Sequence, residues 1–222
     1  MENATKNNKI FSFFGIVQIV IVLSSIVLSI YFYQHFPARV PIHWNIAGQA
    51  DNWGSRSFGA FLFPIIIAAI YFLFELLPKI DPRKERYVEF AKVYSIIKTV
   101  IMLVMFGIYL ISGLSSLGYD VSVAFWIPFI IGLLFIVLGN YFGKIRSNYF
   151  VGIRVPWTLA NEEVWNKTHR LGGKLFILGG IIMLFTGFSP ISLRLPLLVI
   201  VIAIIAILPI VYSYFLFKRL QK

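Results

Sequence analysis

Three residues that could bind a metal ion, His35, His43 and Asp51, lie in one polar stretch of an otherwise apolar sequence. Imidazole and carboxylate groups are ligands that a catalytic zinc ion accepts, and bound zinc can activate water. The spacing of eight residues and then eight residues matches no standard zinc motif, and HExxH is absent. A membrane metal-dependent hydrolase is therefore one alternative. The main prediction is a protein that is not an enzyme and uses no metal or cofactor.

Other catalytic patterns are also missing from the sequence. No GxSxG motif marks a nucleophilic serine. Gly143-Lys144 follows Gly139 but does not fit the GxxxxGK[ST] spacing of a phosphate-binding loop. The chain contains no cysteine, which excludes disulfides and thiolate metal sites. No nucleotide site is expected.

The composition is that of a membrane protein. Of the 222 residues, 59% are hydrophobic and 13% are charged, which is too few charges to cover a soluble domain. Six apolar runs approach or exceed the roughly 20 helical residues that cross a hydrocarbon core. They are Ile10–Tyr33, Phe58–Leu77, Val93–Leu117, Val121–Phe142, Leu171–Ile191 and Leu195–Phe217. The predicted fold is therefore all-α, with six transmembrane helices.

The basic residues predict the orientation of these helices. Sixteen lysines and arginines lie in alternate connections and at the two termini, whereas the other loops hold only Arg39, Arg56 and Arg194. The positive-inside rule places both termini in the cytoplasm. Since topology accounts for the net charge of +11, no direct binding of nucleic acid is expected. Residues 34–57 then face outward, and residues 143–174 face the cytoplasm.

These spans suggest two domains. Residues 1–92 would form a helical hairpin with the outward loop, and residues 93–222 would form a four-helix region with the cytoplasmic segment. Inside the spans, Gln18 is expected to form a hydrogen bond between helices. Glu75 and Lys98 are each expected to extend to the cytoplasmic interface, with a buried functional pair of the two as the alternative.

Proline and glycine are expected to shape the outward loop. Pro41 favours an extended chain after the first helix, and Gly48 and Gly54 supply turns. Trp44 and Trp53 would anchor the loop at the membrane interface or stack against a ligand.

The cytoplasmic segment is expected to contain a short amphipathic helix at the membrane surface. Asn161 is a suitable N-cap, and the glycines at 172–173 would end this helix or bend it before the fifth span. Pro156 should keep residues 152–157 out of a helix. Two tryptophans of this segment are expected at the lipid headgroups: Trp157 and Trp165.

Two motifs resemble those of SdpI-type membrane proteins. The outward loop contains Pro41-Ile42-His43-Trp44-Asn45-x-x-Gly48-x-x-Asp51-x-Trp53-Gly54-Ser55, which resembles their N-terminal module. The cytoplasmic segment contains Asn148-Tyr149-x-x-Gly152-Ile153-Arg154-x-Pro156-Trp157-Thr158-Leu159-x-Asn161-Glu162-x-x-Trp165-x-x-Thr168-His169, which resembles their C-terminal module. Both occur in the expected order, and with the helices between them they cover nearly the whole chain.

This resemblance implies a function in immunity. It implies protection of the cell against a secreted, membrane-active peptide toxin, and a receptor role in which a transcriptional repressor is held at the membrane. Membrane lipid, the toxin and the repressor are then the expected partners. A transporter of small molecules or peptides is the alternative, although the spans lack a central acid or base for proton coupling.

Two groups of residues are the candidate sites. The outer recognition residues are expected to be His43, Trp44, Asn45, Asp51 and Trp53, with Pro41, Gly48 and Gly54 shaping the loop. The cytoplasmic docking or switch residues are expected to be Asn148, Arg154, Trp157, Asn161, Trp165 and His169.

Overall fold

The computed structural model describes residues 2–221, and it describes side chains from residue 13 onward. The helices and strands, in chain order, are α1 (Glu2–His35), β1 (Arg39–Trp44), β2 (Ala50–Ser55), α2 (Arg56–Ile80), α3 (Ala91–Ser116), α4 (Val123–Phe142), α5 (Pro156–Ala160), α6 (Glu162–Thr186) and α7 (Ile191–Leu220). A 3-10 helix, Lys84–Phe90, precedes α3. Six of the helices, all but α5, are long and apolar enough to cross a membrane, which confirms the predicted six-span helical fold.

The long helices pack as two groups of three. The first group is α1, α2 and α3, and the second is α4, α6 and α7, with α3 against α4 joining them. The predicted domain boundary at residue 92 stays a prediction.

An even number of spans brings both chain ends to the same side of the bundle. That this side is the cytoplasmic one stays a prediction. Three of the basic residues on which that prediction depends, Lys6, Lys9 and Lys222, have side chains that the structure does not describe.

Paired glycines let α4 and α6 approach closely. A Cβ atom at Gly139 or at Gly173 would lie 2.6 Å from the carbonyl oxygen of the other residue. Gly132 and Gly180 form an equivalent pair, seven residues along each helix. Small residues allow such backbone contact between membrane helices. The expectation that the glycines at 172–173 end a helix is wrong, since α6 runs unbroken from Glu162 to Thr186.

Polar groups inside the first helix group are paired. Gln18 Nε2 donates to Thr99 Oγ1 at 2.8 Å, which confirms the predicted hydrogen bond between helices. Lys98 Nζ lies 2.5 Å from Glu75 Oε1 and sits over the ring of Tyr71. These two charges therefore pair across α2 and α3, and the expectation that each extends separately to the interface is wrong for Lys98, which is buried.

We call the two ends of the bundle the hairpin end and the basic end. The hairpin end holds β1, β2 and the connections 117–122 and 187–190, while the basic end holds the 3-10 helix, residues 143–161 and both chain ends. At the hairpin end, Phe32, Val40 and Tyr109 are buried in one apolar cluster, and Tyr109 donates to the carbonyl oxygen of Ala60 at 2.7 Å. This cluster fixes the strands on top of the first helix group.

Candidate functional site

The segment predicted to face outward folds as a two-stranded antiparallel hairpin, a structure that the all-α expectation did not include. Its turn is built by Asn45 and Gly48. Asn45 Oδ1 accepts hydrogen bonds from the backbone nitrogens of Ala47 and Gln49, and the Gly48 nitrogen donates to the Asn45 carbonyl oxygen at 2.8 Å. Gly48 has φ +81°, which glycine adopts without strain. The Asn-x-x-Gly spacing is thus the signature of this turn.

Cross-strand pairing brings two of the predicted recognition residues together. His43 Nδ1 lies 2.5 Å from Asp51 Oδ1, and both side chains are exposed. The ring of Trp53 is also exposed, whereas Trp44 is half-buried beneath the turn. An imidazole–carboxylate pair and an indole therefore share the accessible surface of the hairpin. Asn45 serves the turn instead.

The residues predicted to shape the loop make close contacts within the hairpin and between its turn and the helices. Pro41 is buried in β1, and a Cβ atom at Gly54 would lie 2.8 Å from Ile42. A Cβ atom at Gly48 would lie 2.7 Å from the Cβ atom of Ala124 at the start of α4. The turn therefore contacts the second helix group, while β1 packs on the first.

A cavity of about 460 Å³ lies beneath the hairpin. Its walls come from β1 and the turn and from the hairpin-end parts of α2, α3, α4, α6 and α7. Most lining residues are aliphatic or aromatic, among them Phe63, Ile131 and Leu198. Arg194 carries the one permanent charge among the lining side chains, all of which belong to the described residues. Sequence reasoning missed this cavity because its walls come from six separate segments.

The predicted metal ligands do not converge. His35 stacks on Tyr31, with ring centroids 4.1 Å apart, and its Nδ1 atom lies 2.7 Å from the Tyr31 carbonyl oxygen. His43 pairs with Asp51. Among the described residues no three His, Asp or Glu side chains form a group that could hold a metal ion.

At the basic end, the buried side chain of Asn148 organises residues 146–151. Its Oδ1 atom accepts from the nitrogens of Phe150 and Val151, and its Nδ2 atom donates to the carbonyl oxygens of Arg146 and Val151. The Tyr87 hydroxyl lies between Asn148 Oδ1 and Asp81 Oδ2, at 3.3 and 3.0 Å. Asn148 therefore folds this segment and joins it to the connection between α2 and α3. Sequence reasoning missed Asp81 and Tyr87, because only the fold brings them to Asn148.

Trp165 and His169 are fully buried, so the expectation that Trp165 lies at the headgroups is wrong. Their rings stack with centroids 4.0 Å apart. Trp165 Nε1 donates to the Ile145 carbonyl oxygen at 2.8 Å, and His169 Nε2 accepts from the Ile153 nitrogen at 2.9 Å. Both side chains therefore hold residues 145–153 against α6, and in this conformation neither is accessible to a docking partner.

The other predicted cytoplasmic residues lie nearer the surface. Arg154 is exposed and donates to the Tyr149 carbonyl oxygen at 2.6 Å. Trp157 is half-buried, and its Nε1 atom donates to Ser213 Oγ on α7. Asn161 caps α6 as predicted, accepting from the Val164 nitrogen at 3.0 Å.

The short helix of this segment lies earlier than expected. It spans Pro156–Ala160 and stands before Asn161, so the expectation that residues 152–157 are non-helical fails for Pro156 and Trp157. Proline at the first helical position explains the difference, since that position needs no backbone N–H donor. The amphipathic stretch after Asn161 is the first part of the long helix α6.

Two ion pairs connect this segment to the 3-10 helix. Arg86 donates to both carboxylate oxygens of Glu162, at 2.6 and 3.2 Å, and Arg146 Nε lies 3.1 Å from Glu89. A polar cleft of about 420 Å³ lies beside them. The basic end is thus an ordered polar surface that joins the two helix groups.

Six helices long and apolar enough to span a membrane, with an ordered polar segment at each end of the bundle, define a multi-pass membrane protein. Residues 144–213 match the SdpI/YfhL protein family, and residues 20–68 match a domain of unknown function, DUF1648. The chain is 25% identical over 207 residues to Immunity protein SdpI of Bacillus subtilis (strain 168), covering 93% of this chain and 97% of that protein. No solved structure matches. The chain is thus similar to the SdpI/YfhL protein family over residues 144–213, and it is a multi-pass bacterial membrane protein.

Proposed function

We propose that the protein is a non-enzymatic immunity protein that protects its cell against a secreted, membrane-active peptide toxin. The observation that carries the proposal is the similarity to an immunity protein over 93% of the chain, which includes both the hairpin and the basic end. That relative, in Bacillus subtilis, is an immunity protein.

Toxin recognition is assigned to the accessible surface of the hairpin. With the hairpin end outside the cell, the exposed pair His43–Asp51 and the indole of Trp53 are the first ordered groups that a secreted peptide meets. An indole supplies a large apolar contact, and the imidazole–carboxylate pair supplies directional polar contacts. Asn45 holds the turn beside this surface, and Trp44 is half-buried and lines the cavity.

Survival of sensitive bacteria that express the protein tests this assignment. Wild-type protein should protect cells challenged with a toxin peptide of this family, and Asp51→Ala or Trp53→Ala should reduce protection about tenfold, the loss of roughly one good contact. Asp120→Ala, an acidic change in another connection at the same end, is the matched control. Membrane abundance is measured for every variant. No protection by the wild type would refute the function, and protection that requires an ion gradient for peptide efflux would instead indicate a transporter.

The basic end is proposed to hold a transcriptional repressor at the membrane when toxin is bound. Arg154, Trp157 and Asn161 carry the accessible surface for this contact, while Asn148, Trp165 and His169 keep the segment folded. Arg154→Ala should reduce repressor recruitment and leave toxin survival unchanged. If survival and recruitment always fall together with protein abundance, the basic end has only a folding role.

A further inference from the structure

We propose that the cavity beneath the hairpin binds the acyl chain of an anionic glycerophospholipid, whose phosphate contacts Arg194. This inference concerns a lipid site and does not depend on toxin immunity. It rests on the apolar walls of the cavity, on the unused donors of one guanidinium, and on the gap between the two helix groups.

Besides Arg194, the polar side chains of the lining are those of His43, Trp44, Asn45, Ser112 and Thr186, and three of these are already engaged. The Thr186 hydroxyl donates to the Ile182 carbonyl oxygen, the Asn45 side chain is used in the hairpin turn, and the His43 imidazole pairs with Asp51. An extended peptide inside such walls would leave its backbone N–H and C=O groups unpaired, at a cost of roughly 1–3 kcal/mol each. An acyl chain has no such groups and fits an apolar wall.

Arg194 supplies charge complementarity at the hairpin end of the cavity. Its Nε atom donates to the Ser189 carbonyl oxygen at 3.2 Å, and its Nη2 atom lies 3.4 Å from the Gly187 carbonyl oxygen. A guanidinium has five N–H donors, so others remain unused by the described residues. No carboxylate within the described part of the chain pairs with it. Phosphate accepts such donors well.

The position of the cavity matches the shape of a phospholipid. Arg194 stands near the start of α7, at headgroup level, while Ile131 lies eight residues into α4, about 12 Å along that helix. The chain would enter between α2 and α7, which both line the cavity without packing against each other. The headgroup would thus stay at the membrane surface while the acyl chain extends toward the bilayer centre.

Native mass spectrometry of the purified full chain tests the proposal. The protein is incubated in detergent with phosphatidylglycerol or phosphatidylcholine carrying identical acyl chains. Wild-type protein should retain one phosphatidylglycerol, and Arg194→Gln should lower its retention roughly tenfold, the loss of one charge-assisted contact. Arg56→Gln is the matched control, since Arg56 lies at the same end but outside the cavity.

A second pair of variants tests the cavity itself. Leu198→Trp fills it and should abolish retention, whereas Ile200→Trp places the same bulk on an exposed position of α7 and should retain the lipid as wild type does. Equal retention of both lipids, equal losses in the two arginine variants, or full retention by Leu198→Trp would each overturn the proposal. Retention of an apolar peptide but of neither lipid would also overturn it and assign the cavity to a peptide. If Leu198→Trp does not fold, the comparison of Arg194→Gln with Arg56→Gln still tests the proposal.

Discussion

The Nε2 atom of His169 accepts a hydrogen bond from the backbone nitrogen of Ile153, sixteen positions earlier, at 2.9 Å. Its Nδ1 atom lies 2.8 Å from the Trp165 carbonyl oxygen, so the proton must reside on Nδ1 to satisfy both contacts. Only neutral imidazole meets both requirements. Gly152, with φ +118°, lies directly against this ring, where a Cβ atom would meet Nε2. The histidine of the motif is therefore a fold determinant of the basic end.

Replacing His169 with phenylalanine should destabilise the protein. The aromatic stack on Trp165 can persist, but the Ile153 N–H loses its acceptor, which costs about 1–3 kcal/mol. Thermal unfolding in detergent measures the effect. His35→Phe, at an exposed position, should change stability by less than about 0.5 kcal/mol. Equal stability of the two variants would contradict the structural role of the imidazole.

Gly48→Ala should be more destabilising than Gly118→Ala. Both glycines have positive φ, at +81° and +87°, so each alanine costs about 1–2 kcal/mol of backbone strain. Gly118 has open space around it, whereas a Cβ atom at Gly48 would lie 2.7 Å from Ala124. The difference in unfolding temperature between the variants therefore measures the packing of the hairpin on α4. If the two variants unfold alike, the hairpin does not dock on α4.

Gly173→Ala should weaken the crossing of α4 and α6. The added methyl group would lie 2.6 Å from the Gly139 carbonyl oxygen, which cannot move without separating the helices, and such overpacking costs about 1–3 kcal/mol. Gly15→Ala, in open space on α1, should be neutral or slightly stabilising because alanine is the better helix former. Unfolding in detergent, read by circular dichroism, compares the two. A stable Gly173→Ala protein would refute the close contact.

Single cysteines should label from opposite sides of the membrane. The chain has no cysteine of its own, so Ser57→Cys at the hairpin end and Ala160→Cys at the basic end are unique labels, and both positions are exposed. A membrane-impermeant maleimide should label Ser57→Cys on intact cells and Ala160→Cys only after permeabilisation. Reversed labelling would invert the proposed orientation, and labelling of both on intact cells would contradict the six-span arrangement.

The candidate site was predictable where one local segment forms it. The turn at Gly48 and the Asn161 cap depend on neighbours within a few residues, and both were predicted from side-chain chemistry. Asn45 was assigned to recognition instead, although its side chain holds this turn. The hairpin strands were missed, because two short strands rich in proline, tryptophan and glycine lack a clear alternating pattern. The sequence did not reveal which of the predicted docking residues are accessible. Trp165 and His169 are buried because residues 145–153 fold back on α6, and that contact cannot be read from local spacing.

The sequence by itself determined six spans, the same-side placement of the chain ends and the two motif segments, because apolar length and motif spacing are properties of contiguous residues. Tertiary structure alone decided the contacts between distant segments. Gly139 meets Gly173 across two helices, Tyr87 reaches Asn148 between the helix groups, and Arg194 lines a cavity with β1. Each of these depends on the relative placement of whole helices, which arises from packing over many residues and leaves no local spacing to read.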